Sequence, residues 1–385
     1  MQTHALVTEA RRIGEQVASQ WADEVDRDAR FPAETVAALR RSRLLGAQVP
    51  ADRGGPGMSM EEMSVAVAAI SEHCASSGLI LAMHQIQVAT LVRHGTPAAL
   101  DRLLPRLVSG DLLLANANSE EGLAGERRSS ICALEPTTAG FHLEKRASTV
   151  SYGEYADGIL ATARRDVASP AHDQVLVICL RPGLHLEPTG DWDTLGLRGT
   201  CSRPGHLIAD VPSELVITDY RDVFVRTALP ASAVLLSAVW LGIAEGAARR
   251  AHASVRAQAR KDRGDATRLA PPMGALRLAE LTVPLHQLRE VLAGGAVEYE
   301  RHKDTPEVET LHFSGRMDNL KLSSTTLVID IVQRAMGICG LAGYKNRSPF
   351  SMARIMRDAA AAPLMVNNDR ALQATAQALL VRKEL

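Results

Sequence analysis

Ala335-Met336-Gly337-Ile338-Cys339-Gly340-Leu341-Ala342-Gly343-Tyr344, followed after nine residues by Arg354-Ile355-Met356-Arg357-Asp358-Ala359, is the stretch that decides the fold. Its glycines predict a turn between helices, where backbone approaches a phosphate or a neighbouring subunit that a Cβ would push away. The Arg357-Asp358 pair that follows supplies charge to fix the next helix.

Outward from there, apolar residues recur at helical spacing from Thr3 to Leu107, with a break at Pro50 to Pro56. Between Asp111 and Val225 the pattern becomes short alternating runs separated by Pro-Gly, Thr-Gly and Arg-Pro-Gly turns, which predicts a small β unit. From about Leu229 the helical period returns over Val234–Arg250, Gly274–Glu300 and Ser314–Met336. The expected organisation is α+β and mostly α: an N-terminal helical domain (1–110), a middle β domain (111–226) and a C-terminal helical bundle (227–385). Arg260 to Pro272, charged and rich in Gly and Pro, reads as an exposed connection between bundle helices, either a plain solvated loop or part of a binding surface.

Among 385 residues, 43 basic side chains balance 44 acidic ones, so nothing global calls for nucleic acid or anionic lipid as a partner. Cys74, Cys132, Cys179, Cys201 and Cys339 are odd in number and lack metal-ligand spacing, which disfavours a disulfide framework or a zinc site. Met1 to Gln20 is unlike a signal peptide, and no uninterrupted apolar run reaches the ~20 residues that span a bilayer. A cytoplasmic protein acting on a small ligand, without a membrane partner, is the expectation.

The opening stretch resembles the C-terminal signature of acyl-CoA dehydrogenases, and further matches fall in the family's order. They are Phe31-Pro32, Leu44-Leu45-Gly46, Val49-Pro50, Gly54-Gly55-Pro56-Gly57-Met58-Ser59, Asn118-Ser119-Glu120-Glu121-Gly122-Leu123-Ala124-Gly125, and Trp192 to Thr200. The resemblance implies helices, a small β-barrel domain and a four-helix bundle, with FAD as cofactor. It also implies a homodimer or homotetramer in which part of each cofactor site crosses a subunit boundary.

A flavin needs hydrogen-bonding groups along its pyrimidine edge, a wall against its ring and donors for its phosphates. By resemblance, Asn118, Ser119 and Gly125 form one contact stretch, with Ser119 standing for a flavin-touching threonine. A second stretch, Glu144 to Asp157, places Thr149-Val150-Ser151 on the family's Trp-Ile-Thr. Ser151 keeps the hydroxyl near the reactive nitrogen, while Thr149 replaces the indole that covers the ring and implies a more open wall. Glu126 stands where a phosphate-binding serine is expected, and Arg127, Arg128 or Ser129 could compensate. Gly337 replaces a glutamine, Leu341 the second glycine of a pair, and Gly340 retains close approach. Arg256 or Arg260 could supply a guanidinium to the partner's cofactor, and Asn368 falls where a threonine meets the flavin.

Dehydrogenation of an acyl thioester removes an α proton to a carboxylate while a β hydride passes to the flavin. The family's usual glutamate position lands on Val366 and the second known position near Ser232, so neither holds a carboxylate. Counted back from Val381-Arg382 the motif lands near Arg370, which puts Asp369 in reach as a candidate base or, alternatively, as a helix N-cap. Glu245 reads as structural. The first expectation is therefore FAD-dependent α,β-dehydrogenation of an acyl-CoA or acyl-carrier-protein substrate, with electron-transfer flavoprotein or oxygen as electron acceptor. The missing base opens two alternatives: a flavin-dependent monooxygenase of the same fold, or a non-catalytic paralogue. Arg249-Arg250, Arg256, Arg260-Lys261 and Arg263 form the densest basic stretch, suited either to an acidic carrier protein or to solvent.

Overall fold

The computed structural model describes residues 2–123, 126, 128–261 and 273–381. Gly125, Arg127 and Arg263, named above, lie outside them. The N-terminal part holds α1 (Gln2–Ile13), a π-helical turn at Gly14–Ala18, α2 (Ser19–Arg27), α3 (Ala33–Arg41), α4 (Met60–Ser71), α5 (Ala75–His94) and α6 (Pro97–Ser109). Local sequence accounts for its boundaries. Ser59 Oγ accepts the Glu62 N–H at 3.2 Å while the Glu62 carboxylate accepts the Ser59 N–H at 3.1 Å, a capping box that starts α4. Thr96 caps α6 ahead of Pro97, and Gly110 ends it in the left-handed region.

The β unit takes the form of two packed four-stranded sheets. One has the order β1 (Leu114–Ala117), β4 (Gly158–Arg164), β5 (Gln174–Leu180), β8 (Val216–Ile217). The other has the order β2 (Leu134–Thr137), β3 (Gly140–Ala147), β7 (Gly205–Val211), β6 (Leu184–Pro188). Pairing is antiparallel except between β1 and β4, which run parallel with Leu114 opposite Gly158. Every residue of β5 is buried, as the apolar run Val175–Leu180 requires of a strand covered on both faces, with Gln174 at its start donating to Ser130 Oγ at 2.8 Å.

After the short α7 (Tyr220–Val223) come α8 (Leu229–Lys261), α9 (Met273–His302), α10 (Leu311–Tyr344), α11 (Ala353–Ala359) and α12 (Asn368–Val381). The three long helices pack on one another, α12 packs on α10, and α4 and α5 cover α8. The turn expected at the glycine-rich stretch is narrower than a helix–helix connection: α10 runs through it and breaks at Gly340 alone, at φ 56° and ψ −140°. A side chain at that φ is strained, so glycine is the residue that allows the break.

Residues 75–94, 220–260 and 311–344 are helices long and apolar enough to cross a membrane by length and composition, although no uninterrupted apolar run announced them. The apolar windows of the first two are 89% and 94% buried inside the protein, so their hydrophobicity is accounted for by packing of the core.

Candidate functional site

Two β-unit segments lie side by side and are cross-linked by hydroxyls. The Val150 N–H donates to Arg203 O at 2.9 Å and the Tyr152 N–H to Thr200 O at 2.7 Å, which lays 149–152 along 200–203. Thr200 Oγ1 donates to Leu197 O at 2.8 Å and lies 2.8 Å from Ser202 Oγ, and Ser202 donates to Ser151 Oγ at 2.7 Å. The Ser202 proton is therefore spent on Ser151, whose own proton has no acceptor among the described residues. Tyr152, Leu197 and Cys201 all carry positive φ (43°, 54° and 45°), so the backbone is held in costly conformations around the same two segments.

The stretch after β1 closes on the first of these segments. Ser119 Oγ accepts the Thr149 N–H at 3.2 Å and lies 3.1 Å from Thr149 Oγ1. Next to it, Asn118 Oδ1 is buried without a hydrogen-bond partner among the described residues, an acceptor that a ligand donor would satisfy. An unsatisfied acceptor, an uncommitted Ser151 hydroxyl and the absence of an aromatic wall at Thr149 are chemistry that fits the edge of a flavin ring.

On the bundle side, Asn368 opens α12 and is held from α10. Its Oδ1 accepts from Lys321 Nζ, and its Nδ2 donates to Thr325 Oγ1 at 3.1 Å. Lys321 is buried, and desolvation pulls its pKa down to about 8 against the pull of Asp318 and Asp369. Burial likewise pushes Asp318 up to about 6. Val366, where a base was sought, sits just before this cluster with φ 50°, a left-handed conformation rare for a β-branched residue. Ser232 donates to Ala228 O within its own helix at 2.5 Å. Asp369 is exposed in the first turn of α12, its N–H donating to Asn367 Oδ1 at 2.8 Å, so Asn367 serves as the capping side chain.

Gly337 and Gly340 are exposed on α10, with open space where a Cβ would stand. Arg256 is exposed on α8. Of the basic stretch, Arg249 pairs with Glu72 at 2.6 Å and Arg250 donates to Ser351 O, so both are engaged within the chain. Glu245 is paired with Arg289 at 2.8 Å.

Helical units before and after a small β unit make up the acyl-CoA dehydrogenase fold. Residues 2–111 match the acyl-CoA dehydrogenase N-terminal domain and residues 223–365 the acyl-CoA dehydrogenase C-terminal domain. The chain belongs to the acyl-CoA dehydrogenase superfamily.

Its relatives differ in reaction. It is 26% identical over 359 residues to amino sugar nitrososynthase DnmZ of Streptomyces peucetius, covering 88% of this chain and 84% of that one. It is 24% identical over 360 residues to the short-chain-specific acyl-CoA dehydrogenase of Clostridium acetobutylicum, covering 91% and 90%. Among solved structures, KijD3 in complex with FMN and dTDP-3-amino-2,3,6-trideoxy-4-keto-3-methyl-D-glucose superposes with a TM-score of 0.82 at 25% identity, over 99% of this chain and 95% of that one. A flavin is supported by these similarities, without a choice between FAD and FMN.

Sequence reasoning missed three groups: Ser202, the Asp318–Lys321 pair, and a buried Glu120–Lys145 pair. Asp318 and Lys321 left only a weak signal, two opposite charges three apart on a helix that also carries Arg316 and Asn319. Ser202 left none, because its part depends on which strand lies beside Ser151.

Proposed function

We propose that this chain is a flavin-dependent monooxygenase of the acyl-CoA dehydrogenase fold, acting on a small polar substrate for which a primary amine on a sugar is the first class to test. The observation that carries it is Val366. At the position where the thioester reaction needs a carboxylate there is a hydrocarbon side chain, and the second position holds Ser232, bonded to its own helix. Thioester dehydrogenation cannot do without a group to take the α proton; oxygen transfer from a reduced flavin has no such requirement. Full-length similarity to an amino sugar nitrososynthase and to KijD3, solved with an amino-sugar nucleotide, supports the substrate class.

A bound reduced flavin would supply activation of dioxygen and transfer of one oxygen atom. The residues of this chain would bind and orient it. Ser151 offers its free hydroxyl proton to the ring edge, and Asn118 Oδ1 accepts from a ring N–H. Ser119 and Thr149 hold the two rims together. Thr149 in place of an indole leaves room beside the ring for substrate.

Anaerobic visible spectroscopy tests the proposal. The expected result is a bound flavin that panels of acyl-CoA and acyl-carrier-protein thioesters leave oxidised, and that a flavin reductase with oxygen and an amino sugar turns over. Bleaching by a thioester alone would overturn it in favour of the dehydrogenase, and absence of flavin after reconstitution would sink both. Mass spectrometry of the released cofactor separates FAD from FMN.

A further inference from the structure

We infer that the buried ion pair between Lys145 and Glu120 is a positioning device that holds the two polar rims of the flavin site, residues 118–119 and 149–151, in fixed relation. The inference rests on the flavin reading above and adds to it residues that need not touch the cofactor.

Lys145 stands on β3, in one sheet, and its side chain is wholly inaccessible. Its ammonium crosses to the other sheet, donating to Thr162 O at 2.9 Å and to Thr162 Oγ1 at 3.3 Å on β4, and to Glu120 Oε2 at 3.1 Å. Glu120 is also buried, and its two oxygens accept the N–H groups of Ile131 at 3.1 Å and Cys132 at 2.6 Å. One carboxylate therefore closes the neck of the segment between residues 120 and 132 and anchors it to the ammonium.

The placement of the pair along the chain gives it its purpose. Glu120 directly follows Ser119, and Lys145 lies at the end of the strand that leads into Thr149. The roots of both rims are thus fixed to one buried charge pair, while their tips meet in the Ser119–Thr149 contact. Ionic pairs in a dry interior are poor sources of stability, and apolar replacements of similar volume often do as well or better. A fully satisfied buried network does, however, restrict geometry, which is what a site assembled from two separate sheets requires.

The test uses the full-length protein and the double variant Glu120→Gln/Lys145→Met. Lys145→Met alone would strand a buried carboxylate, so the double variant, which removes both charges, is the informative one. Three quantities are read: thermal midpoint, flavin dissociation constant by fluorescence titration, and amide hydrogen exchange of the flavin-free protein. The expected result is a midpoint within a few degrees of wild type, flavin affinity weakened about ten-fold, and lost protection at the Thr149, Ile131 and Cys132 amides. Flavin affinity within about two-fold of wild type, or unchanged exchange, overturns the inference, and so does a double variant that fails to fold, since the pair would then be a structural one. Wild-type protein that binds no flavin sinks the functional reading separately, and the flavin-free exchange still decides whether the pair holds the rims.

Discussion

The N–H of Leu197 donates to the buried Oδ1 of Asp358 across 2.7 Å, joining the β-unit loop that ends in Thr200 to the helix that carries Arg357-Asp358. The approach is close: a Cβ on Gly196 would lie 2.1 Å from Arg357 O. From the same helix Arg354 pairs with Asp23 at 3.0 Å and Arg357 with Asp26, so α11 ties the β unit to α2. Two sequence motifs, far apart in the chain, turn out to be the two halves of one contact.

Asp358 makes this contact pH-sensitive. Burial pushes its pKa up to about 6, offset in part by Arg354, from an ordinary value of 3.8. The folded chain therefore holds a proton that the unfolded chain releases, and this group's contribution to stability falls as pH rises from the lower value to the upper. Asp358→Asn keeps an acceptor for Leu197 and removes the titration. Chemical denaturation should show the variant gaining on wild type by about 3 kcal/mol between about pH 4 and about pH 7. A constant difference would contradict this.

Val366 is held at φ 50°, and a β-branched residue there costs of the order of 1–3 kcal/mol. Glycine removes that strain against an entropic cost of roughly 0.5–1 kcal/mol. Val366→Gly is expected to raise the thermal midpoint of the flavin-free protein. A lower midpoint would mean that packing by the valine side chain outweighs the strain.

Asn118 separates binding from folding. Its buried Oδ1 has no partner among the described residues, a deficit of about 1–3 kcal/mol that a ligand donor would remove. Asn118→Leu should leave the flavin-free midpoint unchanged or higher, and weaken flavin binding about ten-fold. Equal losses in both measurements would assign the residue to folding alone.

Lys321 titrates in the opposite sense to Asp358. Its pKa falls from 10.5 to about 8 on folding, chiefly through burial, so the unfolded chain binds the extra proton between these values. Its contribution to stability accordingly rises with pH across that window. Lys321→Met should abolish the rise, measured by denaturation at alkaline pH. It also removes the donor to Asn368, which should loosen the start of α12 in amide exchange.

The three-part division of the chain was legible because its signals are local. The change from helical to alternating apolar spacing near residue 111, and back near 229, needs only side-chain polarity along the backbone. Ser59 before Glu62 and Thr96 before Pro97 mark helix starts by short-range hydrogen bonding. The absence of a carboxylate at 366 and 232 was equally plain.

Ser202 beside Ser151, Lys145 reaching Glu120 across two sheets, and Lys321 on Asn368 were not legible. Each joins residues dozens of positions apart, and sequence spacing carries no record of such neighbours. Sequence by itself determined the element types, their order, the family and the lack of a carboxylate at 366 and 232, since these follow from residue chemistry within a few positions of chain. Only the tertiary structure decided which hydroxyl keeps a free proton, which acceptor lacks a donor and which charges share a dry interior. Hydrogen-bond satisfaction and desolvation depend on everything packed around a group, and that surrounding exists only once the chain has folded.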